Sequence, residues 1–140
     1  MSRFVFSLLL TALLGLVSGG VAAQDAEPGE ATGESLSASE VEALFTGNTE
    51  LNVVMKRGVE TGRQYKAFYL STGAYVMLEK NGFRHGGAWF VDPLGRHCFR
   101  PGSKDKTKCD VIVREGDHYI RLRDGGRRGR FTIEQGNTVD

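Results

Sequence analysis

The sequence predicts a mainly β domain, an up-and-down antiparallel β-barrel or sandwich of about eight strands preceded by one short N-terminal α-helix. Three observations lead there. Beyond Gly47, short runs rich in Val, Ile, Tyr and Phe alternate with turn residues as far as the C-terminus. The breaks carry turn chemistry: Ser71-Thr72-Gly73, Asn81-Gly82, Asp92-Pro93-Leu94-Gly95, Glu115-Gly116 and Gly125-Gly126. Connections this short join only antiparallel neighbours. Such a meander limits its exposed edges by curling into a barrel or packing as two sheets. Eight strands close to a width that side chains fill or that holds one small ligand.

Taken in order, Arg3, the apolar run 4–17 and the small residues Val21-Ala22-Ala23 before Gln24 predict a signal peptide over 1–23. The run falls short of the ~20 residues a bilayer span needs, and Ser18-Gly19-Gly20 breaks it. No cysteine follows it closely, so a soluble periplasmic or secreted protein is expected, with no transmembrane segment in the mature chain. Residues 24–35 are acidic, rich in Gly and Ala and contain Pro28, the composition of a flexible linker. One helix-plus-β domain is expected over 36–137. Ser37 to Glu40 has the spacing of a capping box, and Val41, Leu44 and Phe45 share one helical face before Gly47 stops the turn. The strands are expected near 51–57, 64–70, 74–80, 86–91, 95–100, 108–114, 117–123 and 127–133.

Cleavage after Ala23 removes Arg3 and takes the formal charge from +1 to about zero. A neutral exported chain is a poor partner for nucleic acid. Cys98 and Cys109 are the only two cysteines, and in an oxidising compartment such a pair reads as a disulfide. The alternatives, a redox-active pair or a metal site with His97, lack C-x-x-C or C-x-x-H spacing. Strand parity raises a conflict: Cys98 shares a face with Arg96 and Arg100, whereas Cys109 shares one with Val111 and Val113. A bulge or a displaced strand boundary is needed to reconcile them.

The helix ending Leu-Phe-x-Gly-Asn-Thr at 44–49, the tyrosine strand, Gly-x-Trp at 87–89, the cysteine pair and the closing Gly-Asn at 136–137 resemble a family of small secreted proteobacterial proteins of unknown function. The resemblance covers roughly residues 36–137 and implies location and fold, with no site residues. Gly-x-Trp also resembles the lipocalin signature, although here it lies mid-chain.

The last two hairpins offer a candidate site. With Gly125-Gly126 as a two-residue turn, Arg123 faces Arg128 and Arg121 faces Arg130, while Ile120, Leu122, Phe131 and Ile133 share the opposite, core side. With Glu115-Gly116 as the preceding turn, Asp110 faces Arg121 and Lys108 faces Arg123. An outer face thus gathers Lys108, Arg121, Arg123, Arg128 and Arg130 around the single carboxylate of Asp110. Like charges opposed across strands disfavour a sheet unless solvent or an anion relieves them. One reading is an anion-binding surface for a small molecule, a glycan or a lipid head group, using the forked guanidinium. The other is a solvated face whose arginines lie over aromatic neighbours such as Tyr119.

No catalytic residues, metal or cofactor are expected. There is no G-x-S-x-G, His85 sits in a turn, His97 adjoins Cys98, and His118 falls on the inward face of this register. Tyr65, Tyr69 and Tyr75 alternate with Phe68, Leu70, Val76 and Leu78, so a core of the latter and a tyrosine-bearing surface are expected. The leading function is a non-enzymatic binding or interaction module. Alternatives are an inhibitor of an exported enzyme such as a protease, acting through the N-terminal arm, and a carrier of a small apolar ligand.

Overall fold

A computed structural model describes residues 32–139. The expected leader, its cleavage point and linker residues 24–31 lie outside them. Among the described residues no helix is long and apolar enough to cross a membrane.

The chain runs β1 (Glu34–Ser35), α1 (Ala38–Phe45), β2 (Asn48–Lys56), β3 (Val59–Tyr69), β4 (Ala74–Glu79), β5 (Arg84–Val91), β6 (His97–Pro101), β7 (Lys108–Glu115), β8 (His118–Arg123) and β9 (Gly126–Gln135). Each strand from β2 to β9 pairs antiparallel with the next, and β9 pairs back onto β2, Asn52 opposite Phe131. The result is a closed eight-stranded antiparallel barrel. Closure leaves no free edge in the barrel. β1 is an added strand on β7, pairing Glu34 with Arg114 and Ser35 with Val113; both residues fall in the stretch expected to be linker. At the other end Val139 is buried and its carbonyl accepts from Arg84 Nη2 at 2.8 Å, just past the expected limit of the domain.

α1 begins with the expected capping box. The Glu40 N–H donates to the Ser37 hydroxyl, and the Ser37 N–H donates to Glu40 Oε2 at 2.9 Å. This fixes the helix start and aims Val41 and Phe45 into one end of the barrel, where both are wholly buried. The Phe45 ring lies 4.1 Å from His97, 5.0 Å from Tyr69 and 5.6 Å from Phe131, so the helix plugs that end. Burying these two side chains is worth about 1.5 to 3 kcal/mol each.

All eight expected strands form, but two registers differ. In the β8–β9 hairpin Arg123 pairs with Gly126, so the turn is Asp124-Gly125, whose φ values of 52° and 72° suit a type I′ turn. Arg121 then faces Gly129 and Leu122 faces Arg127, leaving Arg128 unopposed in a bulge. The β7–β8 pairing, Val113 opposite Ile120, is displaced by two residues and so keeps its faces.

On β3, β4, β7 and β8 the faces are inverted relative to expectation, whereas on β9 Phe131 and Ile133 keep the expected core side. Arg121, Asp110 and Ile112 point inward, while Val111, Val113, Ile120 and Leu122 lie on the outer side. The tyrosine strands follow suit: Tyr69, Tyr75, Ala67 and Met77 are core, and Val76 is 40% exposed. His118 lies outward with Ile120, its Nδ1 3.0 Å from Asp117 and its Nε2 3.7 Å from Glu115. The cysteine conflict disappears with the inversion. Val111, Val113, Cys109, Cys98 and Arg100 all share the outer face, Cys98 and Cys109 are direct cross-strand partners, and their sulfurs are bonded to each other. No bulge is needed.

Candidate functional site

Inside the barrel the polar residues of alternating positions converge. Glu50 and Asn52 come from β2, Tyr65 and Tyr69 from β3, His97 from β6, Asp110 from β7, and Arg121 and Arg123 from β8. The inward setting of each follows from the two-residue period of a strand. Arg121 holds Glu50 with both ends of its fork, Nε to Oε1 at 2.8 Å and Nη2 to Oε2 at 2.5 Å. Glu50 also accepts from the Tyr69 hydroxyl at 2.6 Å, from Asn52 Nδ2 at 2.5 Å and from the Tyr65 hydroxyl at 3.3 Å. The third nitrogen of the guanidinium, Nη1, lies 3.3 Å from Asp110 Oδ2 and 3.1 Å from His97 Nδ1. Arg123 takes the other oxygen of Asp110, with Nε at 2.7 Å.

The electrostatics follow from this packing. Burial opposes charge on Glu50, but Arg121 beside it and the hydrogen bonds from Tyr69 and Asn52 hold its carboxyl below the usual range. Burial and the Glu50 charge push the Tyr65 and Tyr69 phenols up, so both stay protonated donors. Burial, then the Arg121 charge, drives His97 well below the usual histidine value. A guanidinium only donates, so His97 Nδ1 accepts and its proton sits on Nε2, which finds no hydrogen-bond partner. The Arg121 guanidinium also lies 5.2 Å from the Phe45 and Phe131 ring centres, which pack on it in the manner of cation–π contacts.

Where α1 plugs one end, the other end opens into a cavity of about 450 Å³. Its floor is Asp110, Arg121 and Arg123, its walls include Tyr75, Met77 and Phe99, and its rim carries Arg63, Lys104 and Arg128. Six Lys or Arg side chains line it against two carboxylates, Glu79 and Asp110. Both carboxylates are engaged: Glu79 is paired with Arg63, and Asp110 with Arg121 and Arg123. Lys104, Lys108 and Arg128 have no ion-pair partner among the described residues. Burial, together with Arg123 and Lys104, depresses the Lys108 ammonium below the ordinary lysine value. The Tyr75 hydroxyl is buried in the same wall without a hydrogen-bond partner among the described residues.

The structure therefore brings together four of the five basic residues singled out from sequence, Lys108, Arg121, Arg123 and Arg128, in the barrel mouth. The fifth, Arg130, stands on the outer side and pairs with Glu60. Arg121 is 3% exposed, so it acts as the foundation of the mouth rather than as a surface contact. Sequence reasoning missed Glu50, Asn52, Tyr69 and Tyr75. The available signal was Glu50 and Asn52 spaced two apart among apolar residues, matched by Tyr65 and Tyr69 on the next strand. Asp92, Cys98 and Cys109 bring ligand atoms within 4.8 Å of one another, but both sulfurs are spent in the disulfide and offer no thiolate.

No protein-family model matches the chain, and no characterised protein or solved structure shows significant similarity to it.

Proposed function

We propose that this protein is an exported, non-enzymatic binding module that takes a small anionic ligand with an apolar portion into the open end of its barrel. The observation that carries the reading is the set of cations without an ion-pair partner among the described residues, Lys104, Lys108 and Arg128, around a cavity whose carboxylates are already neutralised. A carboxylate, phosphate or sulfate placed there relieves their mutual repulsion and gains charge-assisted hydrogen bonds. The Tyr75 hydroxyl supplies a further donor, and Met77 and Phe99 accept an alkyl or ring portion. The reading moves the anion site from the outer sheet face to the barrel interior and joins it to the carrier alternative. A binding role also suits the deeper groups. Glu50 is locked by four side chains, and the His97 lone pair is occupied by Arg121, so neither is poised to move a proton.

Isothermal titration with dodecyl phosphate, dodecanoate, dodecanol and inorganic phosphate tests the proposal, with a Lys108→Ala/Arg128→Ala variant alongside. Dodecyl phosphate and dodecanoate should bind, dodecanol and inorganic phosphate should bind weakly, and the variant should lose about tenfold or more in affinity. A folded protein that binds none of them, or a variant that binds as tightly as the parent, removes the reading.

A further inference from the structure

The two ends of the barrel differ in chemistry as well as in closure. The four turns around the open mouth are β2–β3, β4–β5, β6–β7 and β8–β9. They and their flanks carry Lys56, Arg57, Lys80, Lys104 and Lys106, all exposed, against Asp105 and Asp124, while the neighbouring Glu60 and Glu79 are paired with Arg130 and Arg63. The turns and helix at the plugged end carry Glu40, Glu42, Asp92 and Asp117, with Arg96 the one cation, itself paired with Asp92 at 2.7 Å. A chain of formal charge +1 is thus polarised along the barrel axis, positive at the mouth. At that same end two apolar side chains stand out from separate hairpins, Val59 at the start of β3 at 68% and Phe83 in the β4–β5 turn at 61% exposure, whereas the turns of the plugged end expose Leu94 alone, at 78%, beside the paired Asp92 and Arg96. Neither Val59 nor Phe83 packs into the core, and Phe83 also lines the cavity.

We propose that this rim docks on an anionic lipid surface, with Phe83 and Val59 entering the interface and the lysines lying among the head groups. Apolar tips on two separate hairpins, ringed by lysines at the edge of a concave opening, fit a deformable surface. A rigid acidic protein would need a hole for each tip. At the tips of the turns lysine outnumbers arginine, Lys80, Lys104 and Lys106 against Arg57, which suits diffuse attraction to many head groups rather than a forked contact with one partner group. A cation close to an anionic membrane strengthens binding about fivefold, so the rim cations together give appreciable, salt-sensitive attraction. Docking in this sense places the cavity mouth against the membrane, which names the source of the amphiphilic anion. That last step rests on the binding reading above, whereas docking itself does not.

The experiment uses residues 24–140, since the apolar run 4–17 would itself partition into vesicles and residues 32–139 form the closed barrel with its core. The protein is sedimented with phosphatidylcholine vesicles and with vesicles containing phosphatidylglycerol, at low and high salt. Binding should require phosphatidylglycerol and weaken with salt. Lys56→Glu/Lys80→Glu/Lys106→Glu should abolish it, and Phe83→Ser should weaken it severalfold, while both variants keep their thermal midpoints and the lysine variant, whose positions lie outside the cavity lining, still binds dodecyl phosphate if the cavity reading holds. Lys108→Ala/Arg128→Ala, which tests the cavity, should retain most of the vesicle binding. Absence of binding by the folded parent, or binding indifferent to the rim reversals, overturns the proposal. Equal binding to soluble polyglutamate that ignores Phe83→Ser overturns it in favour of an acidic protein partner.

Discussion

The Arg121 guanidinium meets the Glu50 carboxylate across 71 positions of sequence, joining β8 to β2 through the barrel interior. The two strands are not neighbours, since β9 lies between them. The pair ties together the two strands that flank β9, and it does so at a site where water cannot compensate for either charge.

Removing one partner should therefore cost far more than removing both. Arg121→Met leaves Glu50 and part of Asp110 buried without their cation, a loss of about 3 to 5 kcal/mol. Glu50→Gln/Arg121→Met should recover much of that loss, because Tyr69 and Asn52 still find an amide at position 50. Urea unfolding of the parent, both single variants and the double variant measures the coupling. Additive losses would show that the pair is not a linked unit.

How far the fold was readable follows from the same residues. The eight strands and the helix cap were legible because turn chemistry and the Ser37–Glu40 spacing are local signals. The faces were not. Alternation identifies two faces, and assigning the core to the aliphatic one assumes an apolar interior. Here the interior is aromatic and ionic, and the aliphatic Val113 and Ile120 are buried on the outer side, where β1 adds to β7 beside Val113. The register of the last hairpin failed for a smaller reason. Asp124 adopts φ 52° and makes the turn with Gly125, a role a sequence with two adjacent glycines does not advertise. Glu50 was illegible because its partner lies on a strand that only barrel closure brings near.

Gly129 should prove irreplaceable for a reason unconnected with its φ. It faces the interior opposite Arg121, and a Cβ there would sit 2.5 Å from Asn52 Oδ1 and 2.8 Å from Asn52 Nδ2. Asn52 cannot swing away freely, because Nδ2 donates to Glu50. Gly129→Ala should destabilise by about 1 to 3 kcal/mol, the cost of overpacking a filled interior. In an Asn52→Ala background the same change should cost much less. A double-mutant cycle by thermal unfolding reads the difference, and an equal cost in both backgrounds would place the strain elsewhere.

His97 gives the barrel a defined pH response. The rings of Phe45, Tyr69, Trp89 and Phe99 surround it, Arg121 is the cation at its Nδ1, and Asp110, its cross-strand partner on β7, shares that cation. Its folded pKa lies well below the ordinary 6.5, so below about that pH the unfolded chain binds a proton that the folded chain refuses. Stability is then fully present above 6.5 and falls as pH drops below it, at no more than about 1.4 kcal/mol per pH unit for one proton. Glu50, with a folded pKa below 4.5, adds a loss of the same sign in a separate, more acidic window. His97→Gln keeps an acceptor for Arg121 without the titration, and it should flatten the stability profile between pH 5 and 6.5 while leaving the more acidic limb in place. Urea midpoints across that range for parent and variant provide the measurement, and a variant that keeps the parental slope would assign the response to another group.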